Sequence, residues 1–142
     1  MVYKIFADTN VILDHLLQRT ADWKFAEDIF RLADEKKISV FTSSSSMVNV
    51  MYALNQQKLS KNDIIQICTY ILSYTRLADI TEKIFIDAIN SGFSDLEDSI
   101  QYYTALQIKG IEYFVTSNLK DYKKVSPQLP VLSPKQFLQK TF

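Results

Sequence analysis

Residues 2–14 of the chain read VYKIFADTNVILD, and this stretch decides the fold class. It begins with an apolar run at residues 2–7, which has the length of a β-strand and stops at Asp8. Thr9 and Asn10 follow, and apolar residues then recur at helical spacing from Val11 onward. Because Asp and Thr are both favoured helix N-caps, the stretch predicts a strand that leads directly into a helix.

The same alternation continues along the rest of the chain. We predict strands at residues 2–7, 38–42, 76–80, 111–116 and 131–132, and helices at 10–18, 23–36, 47–57, 63–74, 81–91, 95–109 and 135–139. Strands that alternate with helices favour an α/β fold with a parallel sheet covered on both faces. With only two glycines and three prolines there is little room for linkers, so we expect one domain over residues 1–142.

Composition excludes several classes of protein. Apolar residues make up 47% of the 142-residue chain, enough for a sizeable core and unlike a disordered chain. No apolar run has the roughly 20 residues of a membrane helix, and the N-terminus lacks the pattern of a signal peptide. A single cysteine, Cys68, suits a reducing compartment, so we expect a cytoplasmic protein. Lysine and arginine only balance the 16 acidic residues, so there is no basic excess of the kind that nucleic-acid binders often show.

Polar and acidic residues stand where several of the predicted strands end and where one helix begins. The carboxyl ends of parallel strands lie at one edge of a sheet, where α/β proteins bind their ligands. We therefore expect a shared cleft lined by Asp8, Asn49, Asp95, Glu97, Asp98, Thr116, Asn118 and Asp121. Clustered carboxylates repel one another unless protons or cations intervene, and Mg²⁺ and Mn²⁺ prefer oxygen ligands. The pattern therefore indicates metal-assisted hydrolysis of a phosphodiester.

Each of these residues also has a structural interpretation. Asp8 is a plausible helix cap, and acidic residues at 95, 97 and 98 favour the start of a helix by interacting with its dipole. Asn49 lies among apolar residues and could be a buried amide, and Asp121 could simply be solvated. The only histidine, His15, suits a helix surface better than catalysis, and the Tyr102–Tyr103 pair suits packing better than base stacking. One histidine and one cysteine make a zinc site improbable, and the chain has no Gly-rich phosphate loop.

At these residues the sequence resembles the PIN-domain family. Four segments carry the resemblance in order along the chain: IFADTNVILD at 5–14, DSIQYYTA at 98–105, FVTSNLKDY at 114–122 and VLSPKQFL at 131–138. The resemblance implies a parallel sheet of about five strands in the order 3-2-1-4-5 and a Mg²⁺- or Mn²⁺-dependent ribonuclease. Asp8 and Asp98 would be the central metal ligands, with Thr116 orienting water or phosphate and Asp121 nearby. Many bacterial members are VapC-like toxins that pair with an antitoxin protein.

Two positions depart from the family pattern. The family usually has a glutamate where this chain has Asn49, and an aspartate where it has Asn118. Asparagine offers a neutral oxygen without charge, so the metal should be held more weakly. Asp95 and Glu97 are acidic residues that could restore the lost charge.

Three functional hypotheses follow from these features. The first is an active metal-dependent endoribonuclease that cleaves single-stranded RNA, and the second is a catalytically weak PIN-like module that binds RNA or protein. The third, a phosphatase that uses Asp8, requires a second aspartate two residues later, where Asn10 stands instead.

The second, third and fourth predicted helices are unusually rich in apolar residues. We expect part of this surface to form a homodimer interface, because large apolar patches commonly mark interfaces. The alternative is that all of these side chains fill one core. The residues concerned are Trp23, Phe25, Phe30, Met47, Met51, Tyr52, Ile64, Ile67, Tyr70 and Ile71.

Overall fold

The fold was established from a computed structural model, which describes residues 2–122 and 128–142. Five parallel strands form one sheet in the order β3-β2-β1-β4-β5, as the resemblance implies. The strands are β1 (Tyr3–Ala7), β2 (Ile38–Ser43), β3 (Thr75–Ala78), β4 (Tyr113–Val115) and β5 (Val131–Leu132). The α-helices are α1 (Thr9–Leu17), α2 (Trp23–Asp34), α3 (Ser44–Gln56), α4 (Lys61–Tyr74), α5 (Glu82–Ile89), α6 (Leu96–Leu106) and α7 (Pro134–Thr141).

Every predicted helix and strand is present, and the differences lie at the boundaries. α3 begins at Ser44, three residues before the predicted start, because the Ser43 side chain accepts a hydrogen bond from the Ser46 amide and caps the helix. α6 ends at Leu106 instead of residue 109, and the chain then turns through Gly110, which has a positive φ of 79°. The sequence analysis also missed a 3₁₀ helix, Leu119–Tyr122, which follows β4.

The two faces of the sheet carry separate apolar cores. Successive side chains of a strand point to opposite faces. Accordingly, Ile5 and Ala7 of β1 belong to a large cluster with residues of α1–α4 and α7, and Phe6 between them belongs to a smaller one. That smaller cluster is aromatic, and the Phe6 and Phe114 rings stack with centroids 5.2 Å apart. Tyr102 of α6 packs against the same Phe114 ring, so α6 is fixed on this face.

The burial of the ten apolar side chains of α2, α3 and α4 shows whether they all lie in one core. Phe30, Met47, Ile64 and Ile71 are buried in the larger core. Three others are not, since Met51, Tyr52 and Tyr70 are 44%, 65% and 59% exposed. The alternative in which a single core takes up all ten side chains is therefore wrong.

His15 lies in the last turn of α1 and is half-buried. Its ring packs against Phe30 at 4.8 Å, and its Nε2 atom lies 3.3 Å from the Tyr74 hydroxyl. Burial lowers the pKa of His15. The histidine therefore belongs to the packing between α1, α2 and α4, where it is more enclosed than on an open helix surface.

Among the helices that the structure describes, none is both long and apolar enough to cross a bilayer.

Candidate active site

Asp8 stands where β1 meets α1 and is only 4% exposed. Its Oδ1 atom accepts a hydrogen bond of 2.8 Å from the Thr9 amide, so the residue does cap α1. Its Oδ2 atom accepts hydrogen bonds from the hydroxyls of Thr116, at 2.9 Å, and Tyr122, at 3.0 Å. The same carboxylate therefore caps α1 and takes part in a polar site.

Burial is the largest influence on Asp8 and raises its pKa. The hydrogen bonds from Thr116, Tyr122 and the Thr9 amide act in the opposite direction, because they stabilise the ionised form. The charge of Glu97 also raises the pKa of Asp8.

Asp98 lies in the first turn of α6 and is half-buried. Its pKa is raised to about 7. Burial is the largest cause, and the charges of Asp8, Asp95 and Asp121 contribute in the same direction. A hydrogen bond with Tyr122 acts in the opposite direction. All three charged groups that raise the pKa are carboxylates, so the structure gathers negative charge around Asp98.

Tyr122 joins the two central aspartates and was missed by the sequence analysis. Its buried hydroxyl donates a 3.0 Å hydrogen bond to Asp8 Oδ2, and Tyr122 lies close enough to Asp98 to lower the pKa of that carboxyl. Burial first, and then the two carboxylate charges, raise the pKa of Tyr122, so the hydroxyl stays protonated and can donate. Tyr122 follows Asp121 directly and is the last residue of the third segment that carries the resemblance. A 3₁₀ helix, which the sequence pattern did not reveal, turns the side chain inward.

Asp95 is the N-cap of α6. Its Oδ1 atom accepts a hydrogen bond of 3.0 Å from the Asp98 amide, so Asp95 caps the helix, whereas the sequence predicted it as the first helical residue. Its charge also reaches Asp98, but the carboxylate itself is exposed. Asp95 therefore shapes the site mainly by starting the helix that carries Asp98.

A second layer of polar contacts holds Thr116 and its loop. The Asn10 amide nitrogen lies 3.3 Å from Thr116 Oγ1 and 3.5 Å from Asp8 Oδ2. The Asn10 oxygen accepts a 3.0 Å hydrogen bond from the Ser117 amide, and the Ser117 hydroxyl donates to buried Asp14 at 2.7 Å. Asn10, Asp14 and Ser117 were not predicted as site residues, because their importance depends on contacts about 100 residues away in the chain.

Comparisons with known proteins identify the family of the chain. The sequence profile described as "PIN domain" matches residues 4–120, which is most of the chain. The chain belongs to the PIN-domain family. It is also similar to Ribonuclease VapC1 of Aquifex aeolicus strain VF5, with 27% identity over 96% of this chain and 94% of that protein.

Solved structures share the PIN fold with this chain. One is a toxin–antitoxin complex from Klebsiella pneumoniae, with a TM-score of 0.66, 22% identity, and coverage of 92% of this chain and 97% of that one. Another is VapBC2 from Rickettsia felis bound to a DNA fragment from its promoter, with a TM-score of 0.65 and 18% identity over 92% and 98% of the two chains. A third is Mycobacterium tuberculosis VapC20, a sarcin-ricin loop cleaving toxin, with a TM-score of 0.58 and 18% identity over 78% and 86%.

The two asparagines that depart from the family pattern, Asn49 and Asn118, each pair with an acidic residue. Asn49 is half-buried, not a core amide, and its side-chain nitrogen donates a 2.9 Å hydrogen bond to Glu97 Oε1. The Asn118 side-chain nitrogen donates a 2.6 Å hydrogen bond to Asp121 Oδ2, so Asp121 is exposed but not merely solvated. Each asparagine thus orients one acidic side chain beside the central aspartates.

A buried hydroxyl and amide network lies beneath the site. Ser43, which caps α3, belongs to this network. Its partner, Gln101 of α6, is 1% exposed and was not predicted as a buried residue. The Gln101 oxygen accepts a 2.7 Å hydrogen bond from Ser43, and its nitrogen donates a 3.0 Å hydrogen bond to Ser45. The Thr9 hydroxyl donates to Ser46 at 2.7 Å, so the network connects the starts of α1 and α3 with α6.

Proposed function

We propose that this PIN domain is a Mg²⁺- or Mn²⁺-dependent endoribonuclease that cleaves single-stranded RNA. The observation that carries the proposal is the meeting of Asp8 and Asp98 at the Tyr122 hydroxyl, at the carboxyl edge of the sheet. The similarity to Ribonuclease VapC1 along nearly the whole chain supports the same chemistry.

The donor chemistry of the site suits a hard divalent cation. Across residues 2–122 and 128–142, no three histidine, cysteine or acidic side chains are arranged to hold a metal together. Magnesium does not require such a cage, because it is commonly bound through one or two carboxylates and keeps several waters. Asp8 and Asp98 would be those ligands, and Asp95, Glu97 and Asp121 would add negative charge or bind through water. A bound ion would activate water and neutralise charge on the leaving oxygen.

The neighbouring side chains would keep the two ligands in position. Thr116 and Tyr122 both donate to Asp8 Oδ2, which fixes the rotation of the carboxylate. Thr116 also accepts a hydrogen bond of 3.1 Å from the Asn118 amide, so it has a defined orientation toward phosphate or water. Asn49 and Asn118 would contribute neutral polar groups to the cleft.

The alternative function is a catalytically weak PIN module that binds RNA or protein. The pairing of Asn49 with Glu97 and of Asn118 with Asp121 favours it, because two positions that usually carry charge are neutral here. Weaker metal binding would lower activity without removing the capacity to bind.

The test is a cleavage assay with purified protein and single-stranded RNA. We expect cleavage with Mg²⁺ or Mn²⁺, none with chelator, and a loss of at least about 100-fold in Asp8→Asn and Asp98→Asn. Asp63→Asn is a matched control for Asp98, because each aspartate is the third residue of a capped helix. Cleavage that survives chelation or both substitutions would exclude this mechanism, and metal binding without cleavage of any RNA would favour the binding module.

We propose that the protein acts in the cytoplasm as the toxin of a toxin–antitoxin pair, as a homodimer. The neighbours from Klebsiella pneumoniae and Rickettsia felis are a toxin–antitoxin complex and a VapBC assembly, which supports an antitoxin partner. Exposed Met51, Tyr52 and Tyr70 on α3 and α4 support a subunit interface. Co-purification with the product of an adjacent small gene, and loss of cleavage in that complex, would test the pairing.

A further inference from the structure

A cavity of about 360 Å³ lies beside the candidate active site, between the loop that joins α5 to α6, the α6 helix and the 3₁₀ helix. It is distinct from the carboxylate cluster but adjoins it, because Asp121 lines the cavity and its charge also acts on Asp98. The volume falls within the range of roughly 300–1,000 Å³ that is typical of small-molecule sites.

Aromatic side chains form the walls of this cavity. Phe93 and Tyr103 are half-buried, and their rings are 6.3 Å apart at an angle of 66°. Tyr102 lies behind them, 5.8 Å from Phe93, and is fixed because its buried hydroxyl donates to the Leu129 carbonyl. Two partly exposed rings over a rigid third ring make a surface on which another planar group can stack.

Polar groups at the same cavity are available for a ligand. The side chains of Ser94 and Lys120 and the hydroxyl of Tyr103 make no hydrogen bond or ion pair with any other residue that the structure describes. Lys120 is exposed, lines the cavity and precedes Asp121, whose charge acts on Asp98. The cavity therefore combines an apolar stacking surface with hydroxyl groups that have no partner among the described residues and with the positively charged side chain of Lys120.

We propose that this cavity binds one base of a single-stranded RNA, with the base stacked on one of the Phe93 and Tyr103 rings and in edge contact with the other, and an adjacent phosphate near the Lys120 ammonium. The inference rests on the proposed ribonuclease function, since it assigns a subsite of that substrate. Each feature of the cavity has a counterpart in a nucleotide: a planar π face, polar edges, and a negative charge on the side toward the carboxylates. Because stacking accepts every base, the subsite would hold unpaired RNA more than it would select a sequence.

The test compares RNA affinity and cleavage for Phe93→Leu, Tyr103→Leu and Lys120→Gln. Phe142→Leu and Lys58→Gln are matched controls on exposed residues outside the cavity. Affinity is measured by fluorescence anisotropy with short labelled oligoribonucleotides, some carrying one abasic position moved along the chain. We expect each cavity variant to weaken binding about five- to tenfold, with the controls unchanged. An abasic residue at one fixed distance from the cleavage position should reproduce the loss. Circular dichroism checks that each variant is folded. If Phe93→Leu is unfolded, Tyr103→Leu still tests the stacking surface.

The outcomes separate this inference from the proposed function. Cleavage with an unchanged KM in folded cavity variants would overturn the inference and leave the ribonuclease intact. Binding that depends on Phe93 and Tyr103 without cleavage by the wild-type protein would support the subsite and overturn the nuclease. No measurable affinity of the wild-type protein for any oligonucleotide would overturn both.

Discussion

At the level of single residues, the raised pKa of Asp98 makes the site sensitive to pH. A divalent ion must compete with the proton for this carboxyl group, whose pKa is about 7. The ionised fraction rises from roughly 10% at pH 6 to roughly 90% at pH 8, so we expect Mn²⁺ affinity to increase about tenfold over that interval. Isothermal titration with Mn²⁺ at several pH values measures this change.

The same pKa has a consequence for the metal-free protein. A carboxyl group whose pKa is raised on folding stabilises the fold below its unfolded pKa, and that contribution is lost as the pH rises through the folded value. Asp98→Asn should therefore reduce the pH dependence of both Mn²⁺ binding and thermal stability between pH 6 and 8 by the contribution of this carboxyl, whereas Asp63→Asn should not. A tenfold pH effect that persists in Asp98→Asn would assign the titration to another group.

Tyr122 offers a second test at this scale. Tyr122→Phe preserves the ring packing against Phe114 but removes the hydroxyl that joins Asp8 to Asp98. We expect a folded protein whose Mn²⁺ affinity falls about tenfold, which is typical when a group that orients a metal ligand is lost. Tyr113→Phe at the opposite end of β4 is the control. Equal Mn²⁺ affinity in the two variants would show that the hydroxyl does not position the ligands.

At the level of helices and strands, the Gln101 network determines how the starts of α1, α3 and α6 meet beneath the site. Gln101→Leu has a similar size but removes the buried amide to which Ser43, Ser45 and Ser46 hydrogen-bond. We expect a loss of about 2–3 kcal/mol in the free energy of unfolding, because each unsatisfied buried polar group costs about 1–3 kcal/mol. Chemical denaturation measures it, with exposed Gln107→Leu after the same helix as control. A loss no larger than that of the control would mean that water replaces the amide.

An element can be predicted from the sequence when the interactions that form it are between residues close together in the chain. Periodicity and capping residues are local, so the sequence predicts all five strands and the seven α-helices, and the resemblance adds the strand order. The 3₁₀ helix at Leu119–Tyr122 has no apolar period and was missed. Tyr122 and Gln101 were missed for a related reason, since their partners lie 114 and 58 residues away and no local pattern marks them.

At the level of the whole molecule, the exposed apolar side chains of α3 and α4 carry the assembly prediction. We expect a homodimer with twice the 16.4 kDa mass of the chain in light scattering at micromolar concentration. Tyr52→Glu places a charge on a side chain that is 65% exposed, so it should dissociate the dimer with little effect on the fold. A wild-type monomer at high micromolar concentration would contradict the interface.

The central position of β1 also controls when the site comes into existence. β1 pairs with β4, and Asp8 receives hydrogen bonds from Thr116 and Tyr122 near the other end of the chain. Because a chain is synthesised from its N-terminus, Asp8 leaves the ribosome more than 100 residues before Thr116 and Tyr122 do. A nascent or truncated chain that ends before β4 would therefore lack the assembled cleft. Whatever activity the cleft has would be withheld from the ribosome that is making it.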